Sequence, residues 1–279
     1  MNAIKDNKQI LAIATVINIV VLWKHVSDGD TLHGIGYFLF FYVAVAAIYF
    51  FTEKIQPKNE IEVKDPKKEL IVAFLFSILG IVFLTLNFML KSNAIPESPL
   101  TKIPIGIGSI VFAMPLGIFI FLLIRRYKIM RLGFTTKPLA GVLLGPIIWA
   151  LTGIFAYFFY MEGMLWDKAI EEFGGVLGII VQGVIGAALF EEFSRFVLQS
   201  RLEKFIKTNG INILIATTIW AFMHFPVSYY KSGEVSGTLS YCIQIIPLGL
   251  VWGYMTQRTR SIVPATLAHG VNLWGFQNG

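Results

Sequence analysis

VLGIIVQGVIGAALFEEFSRFVL, residues 176–198, reads as a membrane-crossing helix that carries charge at depth. About 20 mostly apolar residues suffice to cross the hydrocarbon core. About fifteen largely apolar residues precede Glu191 and Glu192, and Phe196-Val197-Leu198 follow Arg195. Ionisable side chains at membrane depth cost about 2.5–3.5 kcal/mol each on insertion scales, and they mark functional sites. Glu191 and Arg195 are four residues apart and share a helix face, while Glu192 and Arg195, three apart, can also meet. The plain alternative is a helix end at the interface, with charged tips reaching back to water. Glu171-Glu172 is the control within the chain: it lies in a polar loop and reads as solvated. The deeper pair reads as functional.

The rest of the chain agrees with a membrane setting. Of 279 residues, 56% are hydrophobic and only 14% charged. A soluble domain averages about 45–50% apolar and about 25% charged. That balance excludes an ordinary soluble enzyme and a disordered chain. The single cysteine, Cys242, excludes an internal disulfide or a cysteine-rich metal cluster. Apolar runs occur at 9–23, 34–52, 70–90, 105–124, 138–160, 176–198, 211–225, 238–256 and 261–276. The first and last are short and fit tilted, partial or buried helices. The fold class expected is all-α: a polytopic transmembrane bundle of about 8–9 helices.

Basic residues divide the loops into two sets. Lys5 and Lys8, Lys54 to Lys68, Arg125 to Lys137, Arg201 to Lys207, and Arg258 with Arg260 form clusters on alternate connections. The positive-inside rule then puts the N-terminus in the cytoplasm and the C-terminus outside a prokaryotic cytoplasmic membrane. The net charge of +6 reads as topology and contact with anionic lipid, not nucleic-acid binding, because it forms no single stripe. His25 and His33, by the first outside loop, read as solvated. No internal repeat stands out. The division expected is an N-terminal four-helix membrane region, 1–130, of unknown role, and a core at 138–276.

Two further polar groups break the apolar runs. His224 sits in Trp220-Ala-Phe-Met-His224-Phe-Pro226, and His269 and Asn272 sit three apart in Pro264-Ala-Thr-Leu-Ala-His269-Gly-Val-Asn272. Hydrogen bonding between helices would account for each by itself. Their depth favours a common site. At 1.5 Å per residue, Glu191 and His224 lie roughly 27 and 21 Å from the turn near Asn209-Gly210, and His269 roughly 13 Å from Arg260. Helix tilt could close the difference. A carboxylate beside an imidazole can hold a water and take its proton. A second histidine with an amide can steady an oxyanion. Alternatively, Glu191, His224 and His269 could bind Zn²⁺ or another divalent metal with one position open to water. No serine or cysteine is evidently placed as a nucleophile, and the His-Glu-x-x-His signature is absent from the sequence.

Glu-Glu with a nearby Arg, an aromatic residue four before a His, and a second His with a nearby Asn resemble the CaaX protease and bacteriocin-processing enzyme family. These are intramembrane proteases that include the type II CaaX prenyl endopeptidases. The stretch Pro247 to His269 is similar to the family's last hairpin, and the resemblance covers about 138–275. It implies that Glu191 is the catalytic carboxylate and that His224 positions water with it. It also implies that His269 and Asn272 stabilise the oxyanion and that Arg195 orients Glu191 and Glu192. The implied partners are membrane lipid and a peptide or protein substrate, lipidated or membrane-associated. Two departures stand out. Only Phe193 and Ser194 separate Glu192 from Arg195, one residue fewer than usual, and Asn272 is one residue early. Placing Arg195 in the usual register puts Phe190 where the catalytic Glu belongs. The alternative reading is therefore an inactive relative acting as a membrane binding, immunity or scaffold protein; a transporter is a third.

Overall fold

The computed structural model describes residues 2–53, 61–114, 116–136, 139–160 and 174–272. Among the described residues the secondary structure is helical, with no strand. The helices are α1 (Asn2–Ser27), α2 (Thr31–Glu53), α3 (Pro66–Lys91), α4 (Pro99–Gly108), α5 (Leu116–Ile124) and α6 (Leu139–Tyr160). They continue with α7 (Val176–Leu202), α8 (Asn209–Met223), α9 (Phe225–Ser232), α10 (Val235–Gln244), α11 (Ile246–Thr259) and α12 (Val263–Asn272). A π-helical stretch, Ile179–Ala188, lies within α7.

Seven segments are long and apolar enough to cross a membrane: Lys8–Ser27 of α1, then α2, α3, most of α6, α7, α8 with α9, and α10 with α11. The pair α4 and α5, bent by 61°, makes an eighth if taken as one span. The chain is thus a multi-pass helical membrane protein. The first apolar run proves long enough to span. The last does not among its described residues: the ten of α12 extend about 15 Å at helical rise. Outward-facing Leu100, Ile124, Tyr157 and Leu177 are largely exposed on the isolated chain. In a bilayer such side chains meet lipid, which removes the aggregation hazard they would pose in water.

Helix α11 is the centre of the bundle. All residues from Ile246 to Thr256 are buried. Gly249 and Gly253 make this possible, since a Cβ there would stand 2.5 Å from Thr217 Cγ2 and 2.6 Å from Ile213 Cγ2 of α8. Small residues at such a seam let helix backbones approach closely. Around it, α2 packs on α6, α6 on α12, α12 on α7 and α7 on α8. Two helix breaks have a proline one residue inside the new helix: Pro226 after His224, and Pro247 after Ile245. Proline cannot donate to the preceding turn, so the helix stops and restarts.

The basic loops gather at one end. Glu69 of α3 accepts from Arg201 Nε at 3.1 Å, Arg125 Nε at 3.2 Å and the Tyr127 hydroxyl at 2.6 Å. Arg260 pairs with Glu203 at 2.8 Å, and Arg258 donates to Thr52 Oγ1 at 2.7 Å. These contacts place the connections after α2, α5, α7 and α11 side by side. One expectation is corrected: Arg201 is no loop charge facing lipid headgroups but a fully buried ion-pair partner. Its i+4 continuation of the α7 face puts it inside, where only a carboxylate makes it tolerable. His25 and His33, expected to be solvated, are also corrected: their side chains are 14% and 17% exposed and both face Asp30. Glu171 and Glu172 lie outside the described residues.

Candidate active site

Helix α7 brings Glu191 and Glu192 inward just after its π-helical stretch. Leu189 N–H reaches Val184 O, five residues back, so the last π turn closes immediately before the carboxylates. Such turns widen a helix and often occur at functional sites. The same stretch receives α12. A Cβ on Gly270 would lie 2.6 Å from Val184 Cα, so only a glycine lets His269 come this close to α7.

Glu192 is wholly buried and bridges two groups. One oxygen pairs with Arg195, one turn along, and the other lies 2.9 Å from His269 Nδ1. Arg195 also lies over the ring of Trp220, 5.4 Å from its centre. Because an ionised carboxylate only accepts, His269 Nδ1 donates to it. His269 Nε2 then points at Glu191 Oε2, 3.6 Å away, and is buried with no hydrogen-bond partner. Trp252 stacks on the His269 ring at 5.9 Å.

His224 approaches from the opposite side. It sits at the break between α8 and α9, where its N–H bonds Ala221 O, three residues back. Its Nδ1 donates to Trp220 O at 3.0 Å, which leaves Nε2 as the accepting nitrogen of the neutral ring. That Nε2 is also 3.6 Å from Glu191 Oε2. Trp220 Nε1 donates to the same oxygen at 2.6 Å. Two imidazole nitrogens and one indole N–H thus converge on one carboxylate oxygen.

Glu191 and His224 open onto a cavity of about 210 Å³. Its walls include Leu84, Met114, Phe190, Met223 and Val227, with Trp220 and Ser194 beside the carboxylate. His269, Glu192 and Arg195 are not among its lining residues; they stand behind Glu191. Five of the six site residues expected from sequence are therefore together, while the side chain of Asn272 lies outside those described. Trp220 was not among the expected site residues, although its spacing of four from His224 places both on one face. Cys242, expected to serve packing, is buried.

The depth mismatch of His269 has a structural resolution. The α11–α12 turn is itself recessed: Ile262 is fully buried and its N–H bonds Gly133 O at 2.9 Å. Ser261 Oγ bonds Thr135 O at 2.5 Å. The segment after α5 covers the turn, so α12 starts inside the bundle and needs fewer residues to reach Glu191.

No curated protein and no solved structure matches the chain. Residues 173–274 match the family model described as Rce1-like, type II CAAX prenyl endopeptidase Rce1-like. The match spans α7 to α12 and contains Glu191, Glu192, Arg195, Trp220, His224, His269 and Asn272; α1 to α6 lie outside it. Through this region the chain is similar to the type II CAAX prenyl endopeptidases.

Proposed function

We propose that the protein is an intramembrane endopeptidase that cleaves a peptide bond with a water activated by Glu191 and His224. The convergence of both histidine Nε2 atoms on Glu191 Oε2 carries this reading. A separation of 3.6 Å is long for a direct hydrogen bond, but a water about 2.8 Å from both atoms fits on the cavity side. Glu191 takes one proton from that water, and His224 Nε2 accepts the other in a hydrogen bond. The oxygen adds to the substrate carbonyl carbon. The C–N bond then breaks, and Glu191 returns its proton to the departing amine.

The buried residues set this up. Arg195 balances the charge of Glu192, and Glu192 fixes the His269 tautomer and ring orientation. His269, when protonated, presents an Nε2–H toward Glu191 and stabilises negative charge there. By the family resemblance, Asn272 would steady the oxyanion together with this histidine, which stands behind Glu191 and outside the cavity lining. The apolar walls suit a membrane-associated or lipidated peptide, in keeping with the matched family's description.

A divalent cation suits these donors by type but not by spacing: among the described residues, Glu191, His224 and His269 do not form a set whose ligand atoms all lie within 4.8 Å of one another. A carboxylate oxygen and two imidazole nitrogens form a Zn²⁺ donor set, and the unpartnered His269 Nε2 is such a nitrogen. Competing with a cation, Trp220 N–H already occupies Glu191 Oε2.

The test is cleavage of prenylated and unprenylated model peptides by purified protein in lipid, read by mass spectrometry. Glu191→Gln and His224→Ala are each expected to lower turnover by about 10²–10⁴-fold, the range for loss of a general base. Wild-type turnover in a folded Glu191→Gln variant refutes the assignment.

A further inference from the structure

We propose that His25, Asp30 and His33 form a binding site for a divalent transition-metal ion of the Zn²⁺ class, at the end of the bundle opposite the basic loops. The site is built into the α1–α2 hairpin. Gly29 takes the left-handed conformation at φ 81°, its N–H bonds Val26 O, and Asp30 N–H bonds His25 O at 2.8 Å. These two bonds are a Schellman cap, which folds Asp30 back over the last turn of α1. Helix α2 then begins close by. A Cβ on Gly34 would stand 2.7 Å from His25 Cβ, so glycine there lets the two helices approach. The His25 and His33 rings lie 4.5 Å apart as a result.

The donor atoms already have the spacing of a coordination shell. Asp30 Oδ2 is 2.8 Å from His33 Nδ1 and 3.5 Å from His25 Nδ1. One ligand atom from each of the three residues lies within 4.8 Å of the others. Tetrahedral Zn²⁺ with bonds of about 2.0–2.2 Å puts its ligand atoms about 3.3 Å apart. Two imidazoles and one carboxylate favour Zn²⁺, Co²⁺, Ni²⁺ or Cu²⁺ over Ca²⁺ and Mg²⁺, which prefer all-oxygen shells. The histidines are mostly covered while Asp30 is half exposed, so an ion has a route in and a fourth position remains for water. The nearby Lys24 ammonium is paired with Asp28, which limits its repulsion of a cation. The site joins two helices near the first connection and involves no residue of the Glu191 cluster.

Co²⁺ titration of untagged, chelator-stripped protein in detergent tests this, read by visible d–d absorption and by bound metal per chain. Wild type is expected to take up one more equivalent than His33→Ala, or to bind it at least about tenfold more tightly. Asp30→Asn, nearly isosteric and at a half-exposed position, is expected to show the same loss and serves if His33→Ala does not fold. Because the reading is a difference between variants, any Co²⁺ at Glu191, His224 and His269 cancels. Equal uptake by wild type and a folded variant, or no uptake by wild type, overturns the proposal.

Discussion

Glu191 and Glu192 are adjacent, yet a helix turns each residue about 100° from the last, so neighbours meet different surroundings. Glu191 faces the cavity, the Trp220 indole N–H and two imidazole nitrogens, while Glu192 faces Arg195 and His269. The shorter spacing to Arg195, which raised the alternative of an inactive register, here yields an i,i+3 ion pair with Glu192. This leaves Glu191 to the histidines. Arg195→Leu would strand a buried carboxylate, and losing one partner of a buried pair costs about 3–5 kcal/mol. The expected outcome is a strongly lowered melting temperature in detergent, largely restored when Glu192→Gln is added. Trp220 was discernible from its spacing, but only the folded arrangement shows that the indole N–H reaches Glu191.

At the scale of elements, the breaks matter as much as the helices. His224 is held where α8 ends, and Pro226 is why it ends there. The motif Trp220 to Pro226 was therefore readable as a helix interrupted at its histidine. The approach of α12 to the π-helical part of α7 was not readable, because π turns have no sequence signature as simple as a proline. Gly270 is the residue that contact depends on. Gly270→Val is expected to push α12 outward, at about 1–3 kcal/mol for overpacking. Its measurable signs are a lower melting temperature and loss of peptide cleavage, with helical circular dichroism retained.

Across the whole molecule, the basic end is tied together by buried ionic contacts around Glu69. Burial and the Glu69 hydrogen bond push the Tyr127 hydroxyl up to about 12. An unfolded tyrosine titrates near pH 10. The folded protein thus holds this proton more tightly, and the stability it contributes is intact below pH 10 and lost as pH rises through about 12. Melting temperature measured from pH 8 to 11.5 is expected to fall more steeply above pH 10 in wild type than in Tyr127→Phe, which lacks the titrating proton. The alternating basic loops were legible as one set from sequence alone, and Arg258, Arg260, Arg125 and Arg201 do lie at one end. Burial of Arg201 was not legible, since its partner Glu69 is 132 residues away.

Composition and run length determined that this chain is a multi-pass helical membrane protein, because about 20 apolar residues in a helix have few other stable settings. Local spacing determined that Glu192 can reach Arg195 and that Trp220 shares a face with His224, because helical periodicity acts within one element. Only the tertiary structure decided that Glu191, His224 and His269 meet at one oxygen. It also decided that α12 starts recessed beneath the segment after α5, and that His25 and His33 turn together onto Asp30. Those outcomes depend on how closely helix backbones approach, which Gly34, Gly249 and Gly270 permit but whose partners no single helix specifies.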